Sequence, residues 1–309
     1  MADMKPIIGL DIGGTKTAVV LGDAGGRIHD RIQFSTNVDR GFEAVFDEIC
    51  DAVRTLVDRT GTVAAVISVS IGGPLDLARG VIQSPPNLPG WDDIPLKQLL
   101  EERFGLLVYI EHDGNAGALA EWYFGAARGL RNVIFLTMGT GFGGGLIINN
   151  QLYRGACSLA GEVGHIRLSP NGPLAFGKAG SWEGLCGGAG VARRAALRHP
   201  ERWSDGAIST KALAQLAFAG DADALALFEN VGHDLGRGLA MLIDILNPEI
   251  IVIGSLAVHL GELLLTPARE IVRREALPAS ASICRIVPAQ LGEKLGDVAA
   301  LCAAVRQWR

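Results

Sequence analysis

The sequence predicts an α/β protein built from two related halves, and three observations carry that expectation. Of its 309 residues, 49% are hydrophobic, 20% are charged and 41 are glycine, proportions suited to a globular chain with sizeable cores and many tight turns. An order of three strand-like segments, an amphipathic helical stretch and a further apolar strand-like segment opens the chain and recurs in its second part. Both copies carry a glycine-rich turn in the same place, between the first and second segments.

Residues 7–11 and 17–21 flank Gly13 and Gly14 and read as a β-hairpin, followed by a third strand over 27–35. Over 41–59, Phe42, Val45, Phe46, Ile49, Val53, Leu56 and Val57 recur at spacings of three and four, the period of an amphipathic helix. Residues 63–71 then read as a buried strand. The second copy comprises strands over 133–138 and 144–148, a third around 164–168, helical sequence, and a strand over 250–253. Residues 115–129 read as a helix ending at Ala126-Ala127-Arg128-Gly129, so the expected lobes are 1–118 and 119–296. A last helix at about 297–309 is expected to cross back onto the first lobe. No Pro- or Ser-rich linker intervenes, the pattern of two lobes around one cleft.

Several classes of function are disfavoured. A formal net charge of −5 supplies no overall attraction to nucleic acid or an anionic membrane. The five cysteines, Cys50, Cys157, Cys186, Cys284 and Cys302, form no C-x-x-C pair, so neither a disulfide framework nor a zinc ribbon is expected. The first apolar run stops at Asp11 and later ones are strand-length, so no signal peptide or membrane span is expected, and the expected location is the cytoplasm.

The turn Asp11-Ile-Gly-Gly-Thr-Lys16 sets a carboxylate at a strand end, then two glycines, a hydroxyl and an ammonium. Such a set can grip phosphate and a metal ion, and it is also an ordinary Asp/Gly hairpin. The second copy answers with Met138-Gly-Thr-Gly-Phe-Gly-Gly-Gly145. Two such turns in repeated halves suit one polyphosphate held from both sides. Neither has Walker A spacing, and a hairpin surrounds each, which excludes a dinucleotide fingerprint. Asp113 follows the apolar run 106–110 and precedes a helix, a place suited to a general base and equally to a helix N-cap.

The paired turns resemble those of the actin-like ATPase superfamily. Within it, the chain resembles the ROK family of bacterial sugar kinases and repressors, and most of all its glucokinases. The resemblance runs through Asp11–Lys16, Ile71-Gly-Gly-Pro-Leu-Asp76, Pro86-Asn-Leu-Pro-Gly-Trp91, Glu111-His-Asp-Gly-Asn-Ala116, residues 139–145 and 155–173, Asn247-Pro-Glu249 and Leu295-Gly-Asp297. It implies a two-lobed actin-like (ribonuclease H-like) α/β fold with the active site in the interlobe cleft. The implied activity is ATP-dependent transfer of the γ-phosphate to the 6-hydroxyl of a hexose, glucose first. Kinases of N-acetylglucosamine, N-acetylmannosamine, glucosamine and fructose share the same residues.

By the same resemblance Asp113 is the general base, and Gly73, Asn87, His112, Asp113, Asn115, Glu162, His165 and Glu183 line the sugar pocket. ATP is implied at Asp11, Gly13, Gly14, Thr15, Lys16, Gly139, Thr140, Gly141, Gly254 and Ser255, with Mg²⁺ at Asp11 directly or through water. A homodimer is also implied. Repressors of the family carry a helix-turn-helix ahead of the kinase-like part, whereas ten residues precede Asp11 here, too few for one. The reading of another class is therefore a non-catalytic sugar-sensing regulator.

One stretch departs from the family. Zinc-bearing members follow the histidine with a C-x-C-G-x-x-G-C cluster, where this chain has Leu174-Ala-Phe-Gly-Lys-Ala-Gly-Ser-Trp182. Cys186 alone cannot complete a tetrahedral site, so no structural zinc is expected. Phe176 and Trp182 are the apolar anchors left to hold the loop that carries His165 and Glu183.

Overall fold

A computed structural model describes residues 5–204 and 208–308. Two compact units emerge: one holds the chain up to Gly125 together with Arg154–Ala160 and the segment from Glu293 onward, the other Ala126–Tyr153 and Gly161–Gly292. The first division therefore falls after Gly125 rather than at 118, because residue 118 lies within a helix that continues to Phe124.

The first unit opens with β1 (Pro6–Ile12), β2 (Lys16–Asp23) and β3 (Ile28–Ser35), an antiparallel meander. Helix α1 (Phe42–Thr60) follows, then β4 (Val66–Ile71), the small pair β5 (Leu75–Asp76) and β6 (Val81–Ile82), α2 (Leu96–Phe104), β7 (Leu107–His112) and α3 (Asp113–Phe124). The sheet order is β3-β2-β1-β4-β7, with β4 parallel to both β1 and β7. Helix α1 buries Phe42, Val45, Phe46, Ile49, Val53 and Leu56, the stripe its sequence period specifies, and stops at Gly61 in a left-handed conformation. That stripe joins one core with Ile8, Leu10, Val19 and Trp91, whose ring meets Phe42 edge-on at 4.9 Å.

The second unit contains β8 (Val133–Met138), β9 (Phe142–Ile148), β10 (Gln151–Tyr153), β11 (Leu174–Ala175) and β12 (Lys178–Ala179). Helices α4 (Trp182–Cys186), α5 (Gly188–Arg198), α6 (Thr210–Phe218) and α7 (Ala222–Leu246) lead to β13 (Ile250–Ile253), and α8 (Leu256–Leu260), α9 (Glu262–Glu275) and α10 (Pro278–Ile283) lead to β14 (Arg285–Pro288). Its sheet order is β10-β9-β8-β13-β14. The third strand of this copy is β10, not the expected segment around 164–168. Residues Val163–His165 form a 3₁₀ turn instead, while Gln151–Tyr153 pairs directly with the end of β9. A three-residue edge strand is too short to show a period in sequence.

Helix α11 (Leu295–Val305) belongs to the first unit, where it packs on α3, β4 and β1. Ala300, Leu301, Ala304 and Val305 form a second core with Ile7 and Val20. Gly9 and Gly22 make this approach possible, since a Cβ at either would lie 2.9 Å or 2.6 Å from a Leu301 methyl. Among the described residues no helix is long and apolar enough to cross a membrane.

Candidate active site

In the first unit the β1–β2 turn is fastened from two sides. Gly13 N–H donates to the Lys16 carbonyl at 3.1 Å, and the Thr36 hydroxyl donates to the Gly13 carbonyl at 2.6 Å. Thr15 and Lys16 stay exposed. A Cβ at Gly14 would lie 2.2 Å from the Asn87 carbonyl oxygen, so only glycine lets the Asn87 loop seat on this turn.

Asp11, half-buried at the end of β1, has its carboxyl pushed up to about 6. Burial is the largest cause and the Asp113 charge the next; Lys16 opposes them, Asp297 adds to them and Arg31 opposes weakly. The carboxyl is reached by α11, where a Cβ at Gly296 would stand 2.7 Å from Asp11 Oδ2. Beside it, Asp297 accepts both of its hydrogen bonds from Arg31 Nε at 2.9 Å. Gly296, Asp297 and Arg31 were not among the expected site residues. The Leu295-Gly-Asp297 motif was the available signal, and only the packing of α11 gives it a role.

Asp113 is the first residue of α3, and the capping position falls to His112. Gly114 N–H donates to Asp113 Oδ1 at 2.7 Å and lies 3.3 Å from His112 Nδ1, so the start of the helix fixes both side chains. The Asp113 carboxylate remains 49% exposed. A Cβ at Gly73 would lie 2.9 Å from His112 Cδ2 and one at Gly72 would lie 4.0 Å from Asp113 Oδ2, which places the 72–73 turn against this pair. The first unit thus groups Asp113 with Asp11 and with His112 and Gly73, and Asn87 with Gly14.

Asn115 differs. It is buried, its Nδ2 donates to Glu111 Oε1 at 3.0 Å, and its Oδ1 has no hydrogen-bond partner among the described residues. Glu111, itself buried, is ion-paired with Arg154. Sequence reasoning did not single out Glu111 or Arg154 individually.

In the second unit the β8–β9 turn is clamped by the start of α5: Gly188 N–H donates to the Gly139 carbonyl at 2.8 Å and Ala189 N–H to the Thr140 carbonyl at 3.0 Å. Phe142 N–H donates to Glu183 Oε2 at 2.8 Å, and a Cβ at Gly141 would lie 2.6 Å from that oxygen. Burial raises the Glu183 carboxyl above its ordinary range, with the Phe142 hydrogen bond and His165 opposing and Glu162 reinforcing. The 3₁₀ turn with Glu162 and His165 packs close because Gly164 has no Cβ; one would lie 2.1 Å from the Phe142 carbonyl oxygen. Gly254 N–H donates to the Leu136 carbonyl at 2.8 Å, and Ser255, at φ 48°, brings its hydroxyl within 3.7 Å of a Cβ placed on Gly139.

The stretch that departs from the zinc-bearing pattern is a tight hairpin, β11–β12, with Phe176 and Gly177 at φ 54° and 64°. Two successive positive φ values are the mark of a type I′ turn. The Phe176 ring stacks on the His165 imidazole at 3.7 Å between centroids and 19° between planes. Lys178 Nζ donates to the His165 carbonyl at 2.7 Å. Trp182 is fully buried and its ring lies 4.8 Å from that of Phe142. Both anchors singled out in the sequence therefore pack at this loop, Phe176 on His165 directly.

Among the described residues no three His, Cys, Asp or Glu side chains converge on a common metal position. Asp11 nevertheless suits a divalent cation, because a bound cation would offset both the burial and the Asp113 charge that raise its carboxyl. Such an ion would take that one carboxylate together with phosphate and water oxygens, the usual manner for Mg²⁺.

Residues 7–306 match the ROK family. The chain is 35% identical over 307 residues to a glucokinase of Streptomyces coelicolor, covering 95% of each chain. It superposes with a TM-score of 0.83 on a ROK family glucokinase from Streptomyces griseus in complex with glucose and AMPPNP, at 36% identity over 98% of this chain and 99% of that one. A ROK hexokinase from Thermus thermophilus superposes with a TM-score of 0.84 at 33% identity, over 98% and 99% of the two chains.

Proposed function

The chain belongs to the ROK family, with the actin-like ATPase fold of its sugar kinases, and from that premise we propose that it is an ATP-dependent hexokinase acting on the 6-hydroxyl of glucose. The observation that carries this reading is Asp113. Its carboxylate is held by Gly114 N–H at the first residue of α3, half exposed and close enough to Asp11 to raise that carboxyl. A base with fixed backbone and open side chain can take the proton of an attacking hydroxyl.

The remaining assignments follow the chemistry of each side chain. Asn87, Glu162, His165 and Glu183 carry donors and acceptors suited to sugar hydroxyls, and the sugar-binding role is assigned to His112, Gly73 and Asn115 as well. The Gly13, Gly14 and Thr15 backbone with Lys16, and the Gly139, Thr140 and Gly141 backbone, bind phosphate oxygens; Gly254 and Ser255 receive the nucleoside. When bound, ATP with Mg²⁺ at Asp11 supplies the electrophilic phosphoryl group. Similarity over nearly the whole chain to glucokinases at 35% and 36% identity supports glucose as acceptor.

A coupled ADP-release assay over glucose, fructose, glucosamine, N-acetylglucosamine and N-acetylmannosamine tests this. The expected result is the highest kcat/KM with glucose, by at least ~10-fold. An amino sugar or fructose turned over faster would overturn the acceptor. Failure of every sugar to release ADP would overturn the kinase reading and leave the sugar-sensing regulator.

A further inference from the structure

A cavity of about 300 Å³ lies within the first unit, away from the side chains described above except at Glu111 and Arg154. It opens beside β7, the edge strand of the sheet, between the turn of β5 and β6, the start of α2 and the end of α11. Its polar lining is Lys97, Tyr109, Glu111, Arg154, Arg306 and Gln307.

The charges there do not balance. Arg154 is committed to the buried Glu111. Neither Lys97 nor Arg306 makes a side-chain hydrogen bond or ion pair among the described residues. The Lys97 stem is laid across Gly80, where a Cβ would lie 2.3 Å from Lys97 Cβ; glycine at φ 67° makes that approach possible. Arg306 is half-buried; burial first and the Arg154 charge next pull its guanidinium below its ordinary range, with Glu111 and Tyr123 opposing. Among the described residues three cations therefore face one carboxylate in a recess, which leaves two positive charges uncompensated. Partly buried cations without partners are costly unless an anion completes the site.

We propose that this cavity binds a small phosphate monoester, its dianion set between Lys97 and Arg306 and its hydroxyl-bearing part against Tyr109 and Gln307. A dianion matches the two unbalanced charges, where a monocarboxylate would match one. Guanidinium and ammonium groups are the usual partners of phosphate oxygens. The volume suits a sugar- or polyol-sized molecule. The site is independent of the kinase assignment, because it uses neither glycine turn nor the Asp113 cluster.

Calorimetric titration with inorganic phosphate and with glycerol 3-phosphate, on the whole chain, tests the proposal in four proteins: wild type, Lys97→Gln, Lys97→Gln/Arg306→Gln and Lys16→Gln. Glycerol 3-phosphate is expected to bind more tightly than phosphate. Its affinity should fall at least ~10-fold in the double variant, fall partly in Lys97→Gln, and persist in Lys16→Gln, given the strength of charge-assisted hydrogen bonds. Lys97 is only partly buried, so its single variant reports even where the double variant fails to fold. Binding lost with Lys16→Gln but kept without Lys97 would place the anion at the β1–β2 turn and overturn the proposal. No binding to wild type, or phosphate binding as tightly as the monoester, would also overturn it.

Discussion

The two sheets of the molecule share one strand order, β3-β2-β1-β4-β7 and β10-β9-β8-β13-β14, yet the turns at equivalent places in them carry chemistry differently. The β1–β2 turn brings its own charges: Asp11 at its base and Lys16 at its exit. The β8–β9 turn, Gly139-Thr-Gly141, brings none. Its carboxylate, Glu183, comes from α4, and the start of α5 bonds the turn's carbonyls. Topology fixes where a turn stands in a sheet. What the turn can do depends on whether its own side chains or a docked element supply the polar groups.

The comparison is tested most severely at the two carboxylates given different tasks. Asp113→Asn should keep the fold and lower kcat at least ~10²-fold, the scale of general base catalysis. Glu183→Gln should instead raise the KM for glucose with a smaller change in kcat. Steady-state kinetics on both variants decides, and near-normal turnover by Asp113→Asn would remove it from the role of base.

The glycines of the two turns should respond in graded fashion. Gly14→Ala drives a Cβ to 2.2 Å from the Asn87 backbone, whereas at Gly13 the nearest atom, the Lys16 carbonyl oxygen, is 3.2 Å away. The first change should cost about 1–3 kcal/mol and the second clearly less. Gly141→Ala meets a carboxylate oxygen, the end of a side chain that can move, so it should spare stability and weaken glucose binding. Thermal unfolding and KM together check this; equal destabilisation by Gly13→Ala and Gly14→Ala would show that the Asn87 loop yields freely.

Both units hold a carboxyl raised chiefly by burial, Asp11 to about 6 and Glu183 above its ordinary range. A carboxyl with a raised value in the folded chain binds protons that the unfolded chain has released, so its contribution to stability falls as pH rises. For Asp11 that contribution is full below the ordinary value of 3.8 and is lost as pH passes about 6. Asp11→Asn should flatten this slope, by about 1–2 kcal/mol once solvent screening of a half-buried group is allowed for. Thermal midpoints between pH 4 and 7, without ligands, measure it; identical profiles for wild type and variant would refute the assigned environment.

The smallest effect is expected at the hairpin under His165. Asn suits the φ of 54° at residue 176, so Phe176→Asn should keep the turn while deleting the ring stacked on the imidazole. An aromatic stack of about 0.5–1.5 kcal/mol translates into a KM for glucose raised roughly 2–10-fold, with kcat retained. An unchanged KM would mean that Lys178 and the 3₁₀ turn hold His165 without the ring.

The sequence by itself determined the elements whose signal is local: the β1–β2 hairpin, the stripe of α1, the strands β4, β8 and β13, and the place of both glycine turns. Periods of two and 3.6 residues, and glycines between apolar runs, are written in neighbouring positions. Tertiary structure alone decided which distant groups meet. Arg31 reaches Asp297 across 266 positions. Arg154, 43 positions from Glu111, neutralises it, and β10 rather than a later segment completes the second meander. The cavity of Lys97 and Arg306, and the Phe176 ring on His165, arise in the same way. Such contacts depend on how helices and turns pack, and side-chain charge or shape at one position carries no local record of its partner's position in the chain.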